Sequence, residues 1–490
     1  MKPWGWCGWV LVAASGIFFF SVPVADNDLW GHVYFGREML ASLRLPVLNQ
    51  YSYTAPSHPW INHEILAECS FAATYRVFGS AGLLALKVAL GLLALAVMAK
   101  TARRRTDDPA ATVVALVFAA SLMSYGYLVR PQIFSFLALA VVWDRLDGYA
   151  HGGDDPPRLW VLPLVFAAWI NTHGGVLAGI AVLLAFGALH GWARPAGRRP
   201  TELAIVAAAC VGALLLNPYG WRLPAFLVAD VLRSREISEW APVPLLGLAN
   251  LRFKAAVGLC ALGALWSRSR DLPGLAVLGL AALATFRHER HLPMFAVLAA
   301  PHLAATFTLL SETLRLRLRE FSRGAAAVLA AGLVAIAALE VEAAWRLCRD
   351  LRFQIYVSPE QFPVEAVRFL KRAGSSGNLA VAFDWGEYAI WHLYPACRVS
   401  IDGRYTTAYP PDVIDRAWRF SDGRPGGEEM LADAAIALVE RRGGAARMLA
   451  EHAGWRQVHA DPTAVVFVRA TEPFEPAAAP EPTVAAPIFP

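Results

Sequence analysis

Charge is scarce in this sequence. Of its 490 residues 17 % are charged and 57 % apolar, and the mean hydropathy is positive. A chain so poor in charge is not a string of soluble domains over most of its length. Cysteine is scarce too: the six cysteines make no metal spacing, and no phosphate-binding glycine loop, zinc motif or internal repeat is present. A basic stripe is also missing. The net charge is +5, but the arginines sit in short clusters between apolar runs, which marks membrane topology and excludes nucleic acid as a partner. Residues 4–24 are rich in Trp and Phe and lack a small-residue cleavage site, so they read as a retained first span rather than a cleaved signal. Cys7, Cys210 and Cys260 lie in apolar runs and read as inert; Cys348 and Cys397 fall in a soluble part and could pair in an oxidising compartment.

What is present in quantity is apolar sequence of helix-spanning length. Spans are expected near 4–24, 79–99, 110–129, 132–149, 159–171, 175–192, 201–217, 251–266, 272–286, 294–310 and 324–341, about eleven in all, because the backbone must satisfy itself in lipid. Alternate connections carry Lys2; Lys100 and Arg103 to Arg105; Arg145 and Arg158; Arg194, Arg198 and Arg199; Arg268 and Arg270; and Arg315, Arg317, Arg319 and Arg323. The opposite set is longer and poorer in cations. The positive-inside rule then puts the N-terminus in the cytoplasm and the 25–78 loop and the C-terminal part outside. The external connections hold the polar words: Tyr127-Leu128-Val129-Arg130-Pro131-Gln132, Asn171-Thr172-His173-Gly174-Gly175, Asn217-Pro218-Tyr219-Gly220-Trp221 and Arg287-His288-Glu289-Arg290-His291. Polar groups from many helices at one face point to one composite site, although Asn217 to Trp221 fits helix capping and interface anchoring equally.

The densest polar stretch, 26–68, follows the first span at once. Asp26, Asn27 and Asp28 close that span, and Asp28 is placed to N-cap a helix over 29–43. His32 lies four residues on and leans to the same face. A carboxylate held at a helix N-terminus stays ionised and can act as a base or hold a divalent metal. Residues 49–60 read as an ordered irregular loop suited to substrate contact. Residues 62–78 read as an amphipathic surface helix with Glu64 and Glu68 one turn apart. Lys87 stands inside the next span, where it must snorkel or meet an anion such as a lipid phosphate.

On Asp26-Asn27-Asp28, Trp30-Gly31-His32, Phe35-Gly36, Phe78-Gly79 and Lys87, the chain resembles the GT-C class of membrane glycosyltransferases, among them the protein O-mannosyltransferases and the lipid A aminoarabinose transferase. The acidic pair is an Asp-X-Asp where the class has Asp-Glu, and the basic residue is Lys rather than Arg. The resemblance implies a polytopic α-helical membrane fold (1–341) with a C-terminal soluble α/β domain. It implies a multi-pass protein of the bacterial inner membrane, using a polyprenyl-phosphate sugar donor and membrane lipid with an unspecified envelope acceptor. It implies an inverting transfer, with Asp28 as first and Asp26 as second choice for the base. Lys87, Arg130, Arg287 and Arg290 would favour the departing phosphate. His32, Trp60, His63, Glu64, His173 and His288 complete the expected substrate-binding set. No cofactor is required; a divalent cation, Mg or Mn, could sit on Asp26, Asp28 and Glu64. The alternatives are a flippase or carrier of lipid-linked sugars, or a non-catalytic envelope-assembly protein.

Beyond residue 341 the charge density becomes ordinary. Residues 350–470 alternate helix and strand patterns: helices at 363–372 and 445–452, strands at 379–383, 398–401, 434–439, 455–459 and 464–468. Phe383-Asp384-Trp385-Gly386-Glu387-Tyr388 and Ile401-Asp402-Gly403-Arg404-Tyr405 fall at strand ends, where ligands or packing turns are both expected. Residues 471–490, rich in Pro, Ala and Glu, are expected to be disordered.

Overall fold

The computed structural model describes residues 4–152, 157–193, 200–231, 233, 240–267, 271–313, 323–471, 474 and 488–490. The topology signals Lys2, Arg194, Arg198, Arg199, Arg268, Arg270, Arg315, Arg317 and Arg319, and most of the 471–490 tail, lie outside them. The chain divides into two compact units, one of residues 1–22 and 84–352, the other of residues 23–83 and 353–490.

The first unit is helical. It comprises α1 (Trp4–Phe20), the later part of α3 (Ile65–Arg105), α4 (Pro109–Met123), α5 (Gln132–His151), α6 (Leu162–Ile170), α7 (Val176–Ala193), α8 (Pro200–Ala213), α9 (Arg222–Val231), α10 (Leu251–Trp266), α11 (Leu272–Arg287), α12 (Leu292–Thr313) and α13 (Arg323–Asp350). A helix stands at every position where a span is expected. By length and composition, three stretches are apolar enough to cross a membrane: Ile65–Arg105, Glu289–Thr313 and Ala327–Asp350. The expected count of about eleven is carried only that far. On α13, Val328 is 73 % and Leu339 65 % exposed, as suits a helix whose solvent is lipid.

The arginines that mark topology also do structural work. Arg104 pairs with Asp144 at 2.7 Å, and Arg105 bridges Asp147 at 2.5 Å and Asp271 at 2.7 Å. These bonds tie the end of α3 (Ile65–Arg105) to α5 and to the N-cap of α11. Asp147 is fully buried.

The second unit begins with α2 (Leu29–Ser42) and the first half of α3, which loses helical geometry at Gly79 (φ 61°, ψ −156°). That break falls where the surface helix was expected to give way to a span. The rest is α14 (Val364–Arg372), α15 (Gly386–Leu393), α16 (Pro411–Asp422) and α17 (Gly444–Glu451) around a five-stranded sheet. Its strands are β1 (Gly377–Val381), β2 (Cys397–Val399), β3 (Ile436–Glu440), β4 (Trp455–Ala460) and β5 (Ala464–Arg469), in the order β2-β1-β3-β5-β4. β2, β1 and β3 are parallel, with Leu379 opposite both Val399 and Ile436; β5 and β4 run antiparallel. All five expected strands are present; α16 was not foreseen.

Within residues 49–60, read as an ordered irregular loop suited to substrate contact, Tyr51 to Tyr53 run along the edge of the sheet. Ser52 pairs with Val399; the Tyr53 N–H donates to the Val399 carbonyl, and the Val399 N–H to the Tyr51 carbonyl. The 25–78 stretch therefore packs with the C-terminal part, although the sequence groups it with the spans. The end of the tail is ordered too: Ile488 pairs with Tyr356, and buried Phe489 meets the rings of Trp30, Trp391 and Tyr75. Cys348 and Cys397 are free thiols, directed at the Ser21 and Ser375 carbonyls.

Removing one member of a buried ion-pair network leaves the rest under-compensated: without Asp147, Arg105 keeps only Asp271. Asp147→Ala should therefore cost roughly 3–5 kcal/mol. Glu342→Ala, which frees only the exposed Arg346, should cost no more than about 1 kcal/mol. Thermal melts of the two variants in one detergent decide the matter.

Candidate active site

The start of α2 is the centre of the second unit's polar chemistry. Asp26 is buried, and its Oδ1 accepts the Asp28 N–H at 3.1 Å. Asp28 is half-buried and takes the N-cap position of α2, as expected. Its backbone is helical there (φ −87°, ψ −9°) and its side chain makes no capping hydrogen bond, whereas a capping aspartate normally adopts an extended conformation. One turn on, His32 Nδ1 lies 3.8 Å from Glu64 Oε2 and 3.7 Å from Glu68 Oε1. Asn62 Nδ2 donates to Glu68 Oε2 at 2.6 Å, and His63 Nε2 is 3.5 Å from Glu64 Oε1.

Two strand-end words of the C-terminal domain join this group. Glu387, buried on the first turn of α15, accepts the Gly31 N–H at 3.0 Å. Asp402, fully buried, receives Arg404 through Nε at 2.8 Å and Nη2 at 2.7 Å. Nη2 also donates to Asn49 Oδ1 at 2.8 Å, and the Tyr409 hydroxyl donates to Asp402 at 2.5 Å. The Arg404 guanidinium lies over the rings of Trp60, Tyr51 and Phe35 at 4.6 to 5.0 Å. Trp60, expected to touch substrate, is 2 % exposed and forms a wall of this cage. Asp384 stands at the solvent edge.

Crowded carboxylates in a buried setting favour protons. Burial, then the charges of Asp28 and Asp402, raise the Glu387 carboxyl well above its ordinary range, against the pull of Arg404. Loss of solvent, then Asp28 and Glu440, push Asp384 up to about 6, with Asn27 opposing. Asp384 is exposed, and solvent screens that shift. Burial disfavours charge on His32, but the hydrogen bond to Glu68 and the charges of Glu64, Glu68 and Asp28 outweigh it and raise the imidazole.

The remaining expected residues belong to the first unit. Lys87 is 1 % exposed and donates to the Val22 carbonyl at 2.6 Å, a cation set just past the end of α1. His173 Nδ1 accepts the Gly175 N–H at 3.0 Å and contacts Ser135 Oγ at 2.8 Å. His288 Nδ1 is 2.8 Å from the Trp240 carbonyl, and Arg290 lies 4.7 Å over the Trp240 ring. Arg130 is half-buried just before α5, and Arg287 is exposed at the end of α11.

Asp26, Asp28, His32, His63 and Glu64 are thus brought together. Glu68, Glu387, Asp402 and Arg404 were not expected there. The signal for the last three existed in the two strand-end words, but nothing local ties those words to α2.

The titrations carry a sign. A raised carboxyl stabilises the fold at low pH and loses that contribution as pH climbs above about 4.5 for Glu387; a raised imidazole contributes fully below about 6.5 and loses it above. Both slopes fall with rising pH. The unit should melt higher at pH 5 than at pH 8; Glu387→Gln should flatten the profile from about pH 4.5 upward and His32→Gln from about pH 6.5 upward.

Solved structures share this architecture. The oligosaccharyltransferase of Archaeoglobus fulgidus in its apo form matches with a TM-score of 0.56 at 13 % identity, over 90 % of this chain and 70 % of that one. ArnT from Cupriavidus metallidurans bound to undecaprenyl phosphate matches at 0.55 and 14 % identity, over 98 % of this chain and 100 % of that one. Its apo state also matches at 0.55 and 14 % identity, over 94 % and 97 %. No family model and no curated protein matches the sequence. The likeness is one of fold: the chain has the GT-C-like architecture of these membrane enzymes.

Proposed function

We propose that the chain is an inverting glycosyltransferase of the bacterial inner membrane. It moves a sugar from a polyprenyl-phosphate donor to an envelope acceptor (a lipid, polysaccharide or protein) on the extracytoplasmic face. The observation that carries this reading is Asp28: a half-buried carboxylate at the start of α2, not used to cap its own helix, within a GT-C-like fold. One of the neighbours sharing that fold was crystallised with undecaprenyl phosphate.

The reaction breaks the bond between the sugar's anomeric carbon and the phosphate oxygen. The phosphate leaves with the bonding pair. The acceptor oxygen attacks the opposite face and gives its proton to Asp28, which inverts the centre. Asp26, already accepting the Asp28 N–H, ranks second as base. Of the four cations assigned to the phosphate, Arg287 ranks first because it is exposed, and Lys87 last because it is buried on a carbonyl. His63 and Glu64, both partly exposed, are placed to orient the acceptor.

A divalent cation fits best on His32, Glu64 and Glu68, which offer ligand atoms within 4.8 Å of one another. That trio shares Glu64 with the set Asp26, Asp28 and Glu64 considered from the sequence. One imidazole with two carboxylates suits Mn better than Mg. Stripping with EDTA should lower transfer and Mn should restore it; unchanged transfer after stripping removes the cation from the scheme.

The test of the reading is Asp28→Asn. Losing a general base should cut transfer by about 10²–10⁴-fold. Mass spectrometry of envelope lipids, polysaccharides and proteins would compare wild-type, Asp28→Asn and deletion cells. A folded, membrane-inserted Asp28→Asn protein that sustains wild-type glycosylation overturns the assignment.

A further inference from the structure

A helix that begins in a buried place needs an acceptor for its first N–H groups. For α2 the residue in the N-cap position does not supply one: the helical backbone of Asp28 leaves its side chain without a capping bond. The Gly31 N–H finds its acceptor 356 residues away, on Glu387 Oε2 at 3.0 Å, in a buried setting. The fit leaves no slack. A β-carbon on Gly31 would land on the Glu387 carboxylate, and one on Gly403 would lie 2.5 Å from Asp28 Oδ1 and 2.9 Å from Glu387 Oε1. Two carboxylates from opposite ends of the chain thus flank one glycine.

We propose that Glu387 is the positioning residue for Asp28: it takes the capping place at the start of α2 and so keeps the Asp28 carboxylate beside Gly403 instead of folded back on its own helix. This rests on the reading of Asp28 as the base. An aspartate at this position is otherwise drawn to the N–H groups of the first turn, because capping by Asp is among the strongest local preferences. With Glu387 on Gly31 that donor is satisfied. Removing the Glu387 side chain frees that donor, and Asp28 can then turn back onto the helix.

Glu387→Gln keeps a carbonyl oxygen at the same reach, whereas Glu387→Ala has none. In the full-length protein, hydrogen exchange of the peptide covering residues 28–34 reads the cap directly. Glu387→Ala should speed exchange in the first turn by at least about tenfold and lower envelope glycosylation by about tenfold or more. Glu387→Gln should restore both toward wild type. Should Glu387→Ala not fold, Gly403→Ala pushes a methyl group between the two carboxylates without deleting either, and should lower transfer in the same way. First-turn exchange unchanged in Glu387→Ala, or Glu387→Gln behaving as Glu387→Ala in both readouts, overturns the proposal. Asp28→Asn in the same cells separates the two ideas. If it transfers normally, the base assignment falls, while the exchange data still decide whether Glu387 holds α2.

Discussion

The second unit is built around one buried cation. Arg404 has lost its water, and a guanidinium in that state is costly unless its donors are met. Asp402 meets two of them in a fork, Asn49 takes a third contact, and four aromatic rings, Tyr409 the farthest, surround the plane. Burial opposes its charge, but Asp402 outweighs burial and raises the group further above its ordinary range. Its partners come from α2, from the loop before Trp60 and from the turn after β2. No one of these segments could order that arginine alone. Together they convert three weakly structured pieces into one frame, and the frame fixes α2 against α15.

That frame explains why so many acids can share one region. Asp28, Glu387, Asp402, Glu64 and Glu68 would repel one another if all were solvated and ionised. Asp402 is matched by Arg404, Glu68 by Asn62 and His32, and Glu387 by the Gly31 N–H. Each neutralisation uses a different device: an ion pair, a neutral amide with an imidazole, and a backbone dipole. The unit thereby holds carboxylates close without matching each to a full cation, and the proton affinity of buried Glu387 rises in consequence.

Much of the helical unit was legible because hydropathy is a local property. Apolar runs mark helices wherever they fall, and the Phe78-Gly79 word marked the break in α3, since only glycine takes a φ of 61° there without strain. The strands of the C-terminal domain were legible for the same reason. Residues 49–60 were not. Tyr51, Ser52 and Tyr53 are too short a stretch to read as a strand, and their pairing is imposed by the edge of β2. The sequence places Trp60 in the substrate-binding set, since nothing in the residues around it hints at an arginine some 340 positions away. Periodicity sees neighbours in sequence; the cage, the Glu387 cap and the seat of Phe489 are made by neighbours in space.

The division of labour at α2 follows from that difference. Local sequence brings Asp28 to a helix N-terminus, where an isolated helix would use it as a cap. Tertiary structure then brings Glu387 to the same turn and takes that duty over. An acid that caps its helix is turned back onto the first turn; here Glu387 occupies the Gly31 N–H, and Asp28 Oδ1 lies beside Gly403. The C-terminal domain is therefore part of the acidic centre rather than an appendage. Trp30, packed between Tyr388 and Phe489, binds α2 to that domain two residues from Asp28, so movement of the one carries the other.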